Sequence, residues 1–312
     1  MRDRATAVPE PAITGVCPVL ETPFTDDGAV DEAGFLAIID HLLSCGVRSL
    51  MFPGFASEFH KLSDTERTRL TELLLRRTRG SGVRVVISVP DHATRHAIAH
   101  ARHAVELGAD AVNILPPHFL GPSRAAVREH VSRLLETIAP TPAILQYAPA
   151  QTGTALDAPS IAELARAHPN LGQVKVESAP PGALIAALME QDPPLTALVG
   201  YAGLQLPDAL RRGAVGVQPG CSFAELYLRV WSSWSAGEEE AAVALHTRML
   251  PYLSYWMQGV ELIVAAEKLI TQRRGIIASA HCRAPAHVLD AGEVRMVDRF
   301  LGEFSGMLGG LA

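Results

Sequence analysis

Short apolar runs alternate along this chain with longer stretches in which apolar positions recur every three or four residues, the periods of buried strands and amphipathic helices. The first run, 16–20, leads through a turn at Asp26-Asp27-Gly28 into a helical stretch over 31–45 that stops at Gly46. The unit then recurs. Apolar runs at 49–52, 83–89, 111–115, 143–147, 171–176, 198–200 and 215–218 alternate with predicted helices at 63–79, 93–107, 123–138, 158–168, 181–191 and 206–212. Eight strands and their helices over about 200 residues match the size of a (β/α)8 barrel. A doubly wound sheet is the rival, but no Gly-x-Gly-x-x-Gly turn follows the first strand.

Four more helices are predicted at 223–235, 238–257, 260–274 and 291–308. The first completes the barrel, so residues 15–236 form the barrel and 237–312 a helical C-terminal extension. Trp231, Trp234, Tyr252, Tyr255 and Trp256 concentrate the large aromatics there and predict a helix-packing core. Residues 1–14, rich in Pro, Ala and charge, read as a flexible lead or an arm laid on a neighbouring subunit.

Composition narrows the partners. A net charge of -6 with scattered Lys and Arg leaves no basic footprint for nucleic acid. No apolar stretch reaches membrane-spanning length and the N-terminus lacks a signal pattern, so a soluble cytoplasmic protein is expected. Cys17, Cys45, Cys221 and Cys282 are far apart and lack zinc-ligand spacing, which predicts reduced thiols and no metal.

Lys175 breaks the pattern. It lies in the apolar run Gly172-Gln173-Val174-Lys175-Val176-Glu177, with Val174 and Val176 on one face and Gln173, Lys175 and Glu177 on the other. A lysine aimed into an interior is costly as an ammonium, and as a free amine it can form a Schiff base with a carbonyl substrate. The competing reading is a lysine that snorkels or pairs with Glu177.

Barrel chemistry sits at the C-terminal strand ends. Those ends carry Gly54-Phe55-Ala56-Ser57-Glu58, Asp91-His92, His118-Phe119, Gln146-Tyr147, Gly200-Tyr201 and Gln218. The amides of 54–57 are expected to form an anion-binding nest, with turn or helix capping as the competing role for Ser57 and Ser63. Gly54, Ala56, Ser57, Glu58, Gln146, His118, Gly200 and Gln218 are the candidate substrate-binding residues. Lys175 and Tyr147 are the candidate catalytic pair.

Gly54-Phe55-Ala56-Ser57-Glu58 with Leu62-Ser63 and Glu66-Arg67, then Pro149-Ala150-Gln151-Thr152-Gly153, then Val174-Lys175, resembles the dihydrodipicolinate synthase and N-acetylneuraminate lyase family, in order and with family spacing. The resemblance implies a (β/α)8 barrel with a helical extension, a homo-oligomer (tetramer or dimer), no cofactor, and a lysine at position 175 that forms a Schiff base with pyruvate or another 2-oxo acid. Departures accompany the match. Phe55 and Ala56 stand where the family carries two threonines, Gln146 aligns with its strand-5 tyrosine, and Phe119 with a tyrosine supplied across the subunit interface. Gln151 replaces an arginine that holds the second substrate's carboxylate in the synthases. Strand parity turns Gln146 inward and Tyr147 away unless a bulge re-aims it.

The resulting expectation is a Schiff-base-forming lyase other than the lysine-pathway synthase. Its protonated imine acts as an electron sink for C–C cleavage, as in an aldolase, or for loss of a 3-hydroxyl, as in a 2-keto-3-deoxy sugar acid dehydratase. Glu58, His60, His118, Tyr147 and Glu177 are the candidates for moving protons. A non-catalytic 2-oxo-acid-binding or regulatory barrel is the rival from another class. For a metal-dependent enzyme, Asp91, His92 and His118 are too few ligands.

Overall fold

The structure is a computed structural model that describes residues 11–309. The expected flexible lead falls largely on residues 1–10, which lie outside the described residues. Ile13 does not behave as a lead. It is buried, its N–H donates to Gln173 Oε1 at 3.2 Å, and Gln173 Nε2 donates back to its carbonyl at 2.8 Å. Order therefore begins ahead of Gly15.

Eight strands occur in chain order: β1 (Gly15–Val16), β2 (Ser49–Phe52), β3 (Arg84–Val89), β4 (Ala111–Ile114), β5 (Ala143–Tyr147), β6 (Leu171–Val176), β7 (Thr196–Val199) and β8 (Ala214–Val217). The helices between them are α1 (Glu32–Ser44), α2 (Asp64–Thr78), α3 (Thr94–Glu106), α4 (Arg124–Ile138), the single turn α5 (Pro149–Thr152), α6 (Ala158–Ala167), α7 (Gly182–Met189) and α8 (Leu206–Arg211). After β8 come α9 (Ala224–Ser235), α10 (Glu239–Trp256), α11 (Val260–Arg273) and α12 (Ala291–Phe304). This is the strand–helix alternation the hydrophobic pattern predicts. No helix among the described residues is long and apolar enough to cross a membrane.

The chain divides into two compact units, and the division does not follow the expected boundary at residue 236. The first unit holds residues 11–14 and Val86–Val217. Its strands β3 to β8 pair in sequence order, all parallel. The register sets Ser88 beside Asn113, Asn113 beside Ile144, Gln146 beside Lys175 and Lys175 beside Leu198. One face of this sheet is thus apolar apart from Tyr147, with Ile87, Val112, Ile114, Leu145, Val174, Val176 and Val199, as a face covered by helices requires. The opposite face carries Ser88, Asn113, Gln146, Gln173 and Lys175, all buried. So many polar groups on a buried face need a partner apiece, and their pairing defines the site described below.

The second unit holds Gly15–Val85 and 218–309. The expected first strand, 16–20, is cut to Gly15–Val16, because Pro18 has no N–H for the ladder. Pairing resumes at Val19, which bridges Met51 and Gly220 in parallel. The predicted capping role of Ser63 is observed: Glu66 N–H donates to Ser63 Oγ at 3.2 Å, and Ser63 N–H to Glu66 Oε2 at 2.9 Å. Trp256, Tyr252, Phe300, Phe304 and Phe223 pack with ring centroids 4.9–6.3 Å apart, an aromatic helix-packing core.

Among the buried carboxyl groups of this unit, Glu21 after β1 and Glu267 on α11 are pushed up in pKa. Burial pushes Glu21 up to about 7, with Thr271 and Lys268 opposing and Glu58 adding to the rise. The Thr271 hydroxyl itself donates to the Glu267 carbonyl at 3.0 Å. Burial, then repulsion from Glu21, pushes Glu267 up to about 8. Both groups bind a proton more tightly folded than unfolded, so the stabilisation they lend is complete below pH 4.5 and is lost as pH rises to about 8. His130 works the other way. Burial lowers it to about 4, so its contribution grows as pH rises from there to its ordinary 6.5. Between pH 6.5 and 8 both acids still titrate, and urea titrations should show stability falling by about 2 kcal/mol across that window. Glu267→Gln should remove most of this slope.

Candidate active site

Lys175 is 4% exposed on β6, and Glu177 follows just past the strand end on the same side. Lys175 Nζ lies 3.3 Å from Glu177 Oε1. The other carboxylate oxygen, Oε2, accepts from Gln146 Nε2 at 2.6 Å. Gln146 Oε1 accepts from Asn113 Nδ2 at 2.8 Å, and the same Asn113 nitrogen donates to Ser88 Oγ at 2.9 Å. Four neighbouring strands thus contribute one buried chain, Ser88–Asn113–Gln146–Glu177–Lys175. Asn113 Oδ1 is left without a hydrogen-bond partner.

Gly200, at the end of β7, makes room for it. A Cβ at that position would overlap the Glu177 side chain, so only glycine lets the backbone come this close. The next residues, Tyr201 and Ala202, are both left-handed at φ 49°, a conformation that costs roughly 1 kcal/mol or more for a residue with a Cβ. This strained turn directs the Tyr201 hydroxyl to Gln151, with Gln151 Nε2 at 3.1 Å and Oε1 at 3.2 Å. Burial raises the Tyr201 phenol above its ordinary value, the Gln151 hydrogen bond opposes the rise, and the charge of Glu177 adds to it.

Of the sequence candidates in this unit, Lys175, Gln146 and Gly200 come together around Glu177. Tyr147 does not. It pairs with Val176, at the parity of the apolar face, and no bulge re-aims it. Burial raises its phenol, and the charges acting on it are those of Arg124 and Asp157. The register thus sets the catalytic candidate Tyr147 on the apolar face, and Gln146 is the strand-5 residue on the lysine's face. His118 packs edge-on against His92, ring centroids 6.2 Å apart, outside the chain of hydrogen bonds that ends on Lys175.

The loop after β2 belongs to the second unit and is internally committed. Ser57 donates its N–H to the Gly54 carbonyl at 2.9 Å, its hydroxyl accepts from Gly54 N–H at 2.9 Å and donates to the Leu20 carbonyl, and its own carbonyl accepts from Thr22 at 2.7 Å. Glu58 N–H goes to the Phe55 carbonyl at 3.0 Å. The expected anion nest over 54–57 thus has at least two of its amides, those of Gly54 and Ser57, turned inward, and Ser57 serves as a turn cap. Ala56 is half-buried in the same short turn, and a Cβ on Gly54 would overlap Val19. Glu58 is fully buried and left-handed at φ 53°, gripped by Lys61 Nζ at 2.9 Å and by Lys268. It is a structural tie. Gln218 is buried, with its Nε2 3.4 Å from Cys17 Sγ and its Oε1 unpartnered.

Ser88 and Asn113 were not among the sequence candidates, though they carry the same signal as Lys175, a polar residue inside an apolar strand. Gln151 and Tyr201 stood out only by their place at strand ends, and their pairing depends on a left-handed turn that no period reveals.

Two substitutions separate the faces of β5. Tyr147→Phe should change turnover less than about twofold, and Gln146→Ala should lower it by about tenfold or more, since it leaves a buried carboxylate oxygen unpaired. Gly200→Ala should unfold at lower urea and lose activity together, by displacing Glu177.

Comparison with known proteins agrees with this architecture. The family model described as the dihydrodipicolinate synthetase family matches residues 12–303. A 4-hydroxy-tetrahydrodipicolinate synthase from Methanopyrus kandleri is 31% identical over 77% of this chain and 80% of its own length. An L-2-keto-3-deoxyarabonate dehydratase from Azospirillum brasilense is 29% identical over 90% of this chain and 91% of its own. Among solved structures, YagE from Escherichia coli K12, a dihydrodipicolinic acid synthase family protein in complex with pyruvate, superposes with a TM-score of 0.85 at 26% identity, covering 94% of this chain and 98% of that one. The fold is accordingly a (β/α)8 barrel with a helical C-terminal segment. With the family model matched over nearly its whole length, the chain belongs to the dihydrodipicolinate synthetase family, whose members are lyases of the class I type.

Proposed function

We propose that this protein is a Schiff-base-forming lyase in which Lys175 attacks the keto carbon of pyruvate or a related 2-oxo acid. The observation that carries the proposal is a buried amine on the polar face of an otherwise apolar strand, 3.3 Å from one carboxylate oxygen. The free amine adds to the keto carbon, water leaves, and the protonated imine draws electrons from the adjacent C–C bond. A buried lysine kept for stability alone is disfavoured, because a well-packed apolar pair of the same volume is as stable or more so. This argues against the non-catalytic barrel.

Gln151 and Tyr201, bonded to each other, are neutral. A neutral amide and phenol suit a hydroxylated partner or substrate tail over one ending in a carboxylate, which a guanidinium would bind in bidentate fashion. The proposal therefore excludes the lysine-pathway condensation and includes aldol cleavage or condensation. Dehydration of a 2-keto-3-deoxy sugar acid is the second reading, favoured by the 29% identity to the Azospirillum dehydratase over 90% of this chain. The four free cysteines suit a reducing compartment, the cytoplasm, and the exposed apolar pair Phe119-Leu120 suits a homo-oligomer, a tetramer or dimer.

Incubation with pyruvate, borohydride reduction and intact mass measurement test the proposal. A stable adduct mapping to Lys175 and absent from Lys175→Ala is expected. Absence of an adduct with every 2-oxo acid tried would favour the non-catalytic barrel.

A further inference from the structure

We propose that Glu177 is the acid–base group of the reaction, a catalytic residue, and that Ser88, Asn113 and Gln146 are the positioning residues that fix it. The proposal rests on the Schiff-base reading of Lys175.

The geometry divides the labour of the carboxylate. Oε2 is anchored by Gln146 Nε2 at 2.6 Å, while Oε1 faces the amine at 3.3 Å. Once an imine forms, its carbon is one bond from Nζ and C3 is two bonds away, about 2.5 Å. C3 and the groups on it then come within reach of Oε1. Two links donate toward the carboxylate: Asn113 to Gln146, and Gln146 to Glu177. Asn113 spends its second N–H on Ser88, so the amide of Gln146 is held with its N–H toward the carboxylate. Such a chain fixes Oε2 and leaves Oε1 facing the amine, where a general base must stand. Three further buried polar side chains and a glycine cleared for the carboxylate fix its orientation.

The protonated imine is a cation and pairs with Glu177 as the lysine does, and the enamine that follows is neutral with the proton held on Glu177. With pyruvate bound as the imine, Glu177 removes a proton from C3. The C3–H pair becomes the C2=C3 bond of an enamine, and the C=N π pair moves to nitrogen. In the condensing direction C3 attacks an aldehyde carbon, and the carboxyl proton passes to the new alkoxide, which restores the carboxylate. In cleavage the steps reverse: Glu177 takes the C4 hydroxyl proton, the C3–C4 bond breaks, the aldehyde leaves, and the enamine C3 is reprotonated before water releases pyruvate. No co-reactant beyond water and the aldehyde is needed.

Pyruvate alone tests this step. In D2O, exchange of its methyl protons reads imine–enamine interconversion by NMR, and borohydride trapping reads imine formation separately. Glu177→Gln should still give the Lys175 adduct, while methyl exchange falls at least about a hundredfold. In Glu177→Ala, added formate should restore part of the exchange, as replacement of a lost carboxylate does and repair of a fold does not. Gln146→Leu should lower methyl exchange by about tenfold while borohydride still traps the Lys175 adduct, because the carboxylate loses the donor that orients it. Adduct formation with exchange within about threefold of the parent protein in Glu177→Gln would overturn the proposal. Should that variant not fold, Glu177→Asp serves: unchanged exchange overturns the proposal, and reduced exchange with the adduct retained supports it. Failure of the unmodified protein to trap pyruvate would overturn the Schiff-base reading itself, which the adduct mass alone reports.

Discussion

A lysine and a glutamate of opposite charge, two residues apart at the end of a strand buried on both faces, set the terms for the rest of the first unit. Neither charge can be buried alone, and removing one partner of such a pair costs roughly 3–5 kcal/mol. Lys175 therefore needs Glu177 at 3.3 Å, Glu177 needs a second partner for its other oxygen, and Gln146 supplies it. That amide must in turn be held, by Asn113 and through it Ser88. Gly200 follows from the same constraint, since any side chain there would occupy the carboxylate's volume. A polar interior of this kind is an expensive way to build a barrel, and its members converge on one amine.

The second unit shows the two ways a buried carboxyl group can be accommodated. Glu58 is paired, with Lys61 and Lys268 on either side, and that grip holds it in a left-handed conformation that L-residues avoid. Glu21 and Glu267 instead keep their protons toward neutrality, pushed up to about 7 and about 8 by burial. The same residue type is thus a structural cation clamp in one place and a pH-dependent liability in another. Chemical type alone does not assign a role; partners and burial do.

That distinction explains how far the sequence could be read. Lys175 was legible because a charge in an apolar run is anomalous whatever surrounds it, and parity alone turned Gln146 to its side and Tyr147 away. Tyr147 is a candidate by chemical type, and the register places it, as parity does, on the face away from Lys175. Ser57 and Glu58 looked like ligands because they stood in a recognisable loop. Their engagement by Gly54, Leu20, Lys61 and Lys268 depends on contacts between distant segments. The shortening of the first strand at Pro18 was written in the sequence, whereas the turn that presents Tyr201 was not.

In the proposed mechanism Lys175 and Glu177 address the same substrate carbon framework from one strand. A crystal structure of the protein soaked with pyruvate measures this most directly. Continuous density is expected from Lys175 Nζ to the former keto carbon, with Glu177 Oε1 about 3–3.5 Å from C3 and Gln146 still on Oε2. Pyruvate bound without a covalent link, or linked with its methyl turned away from Glu177, would contradict it.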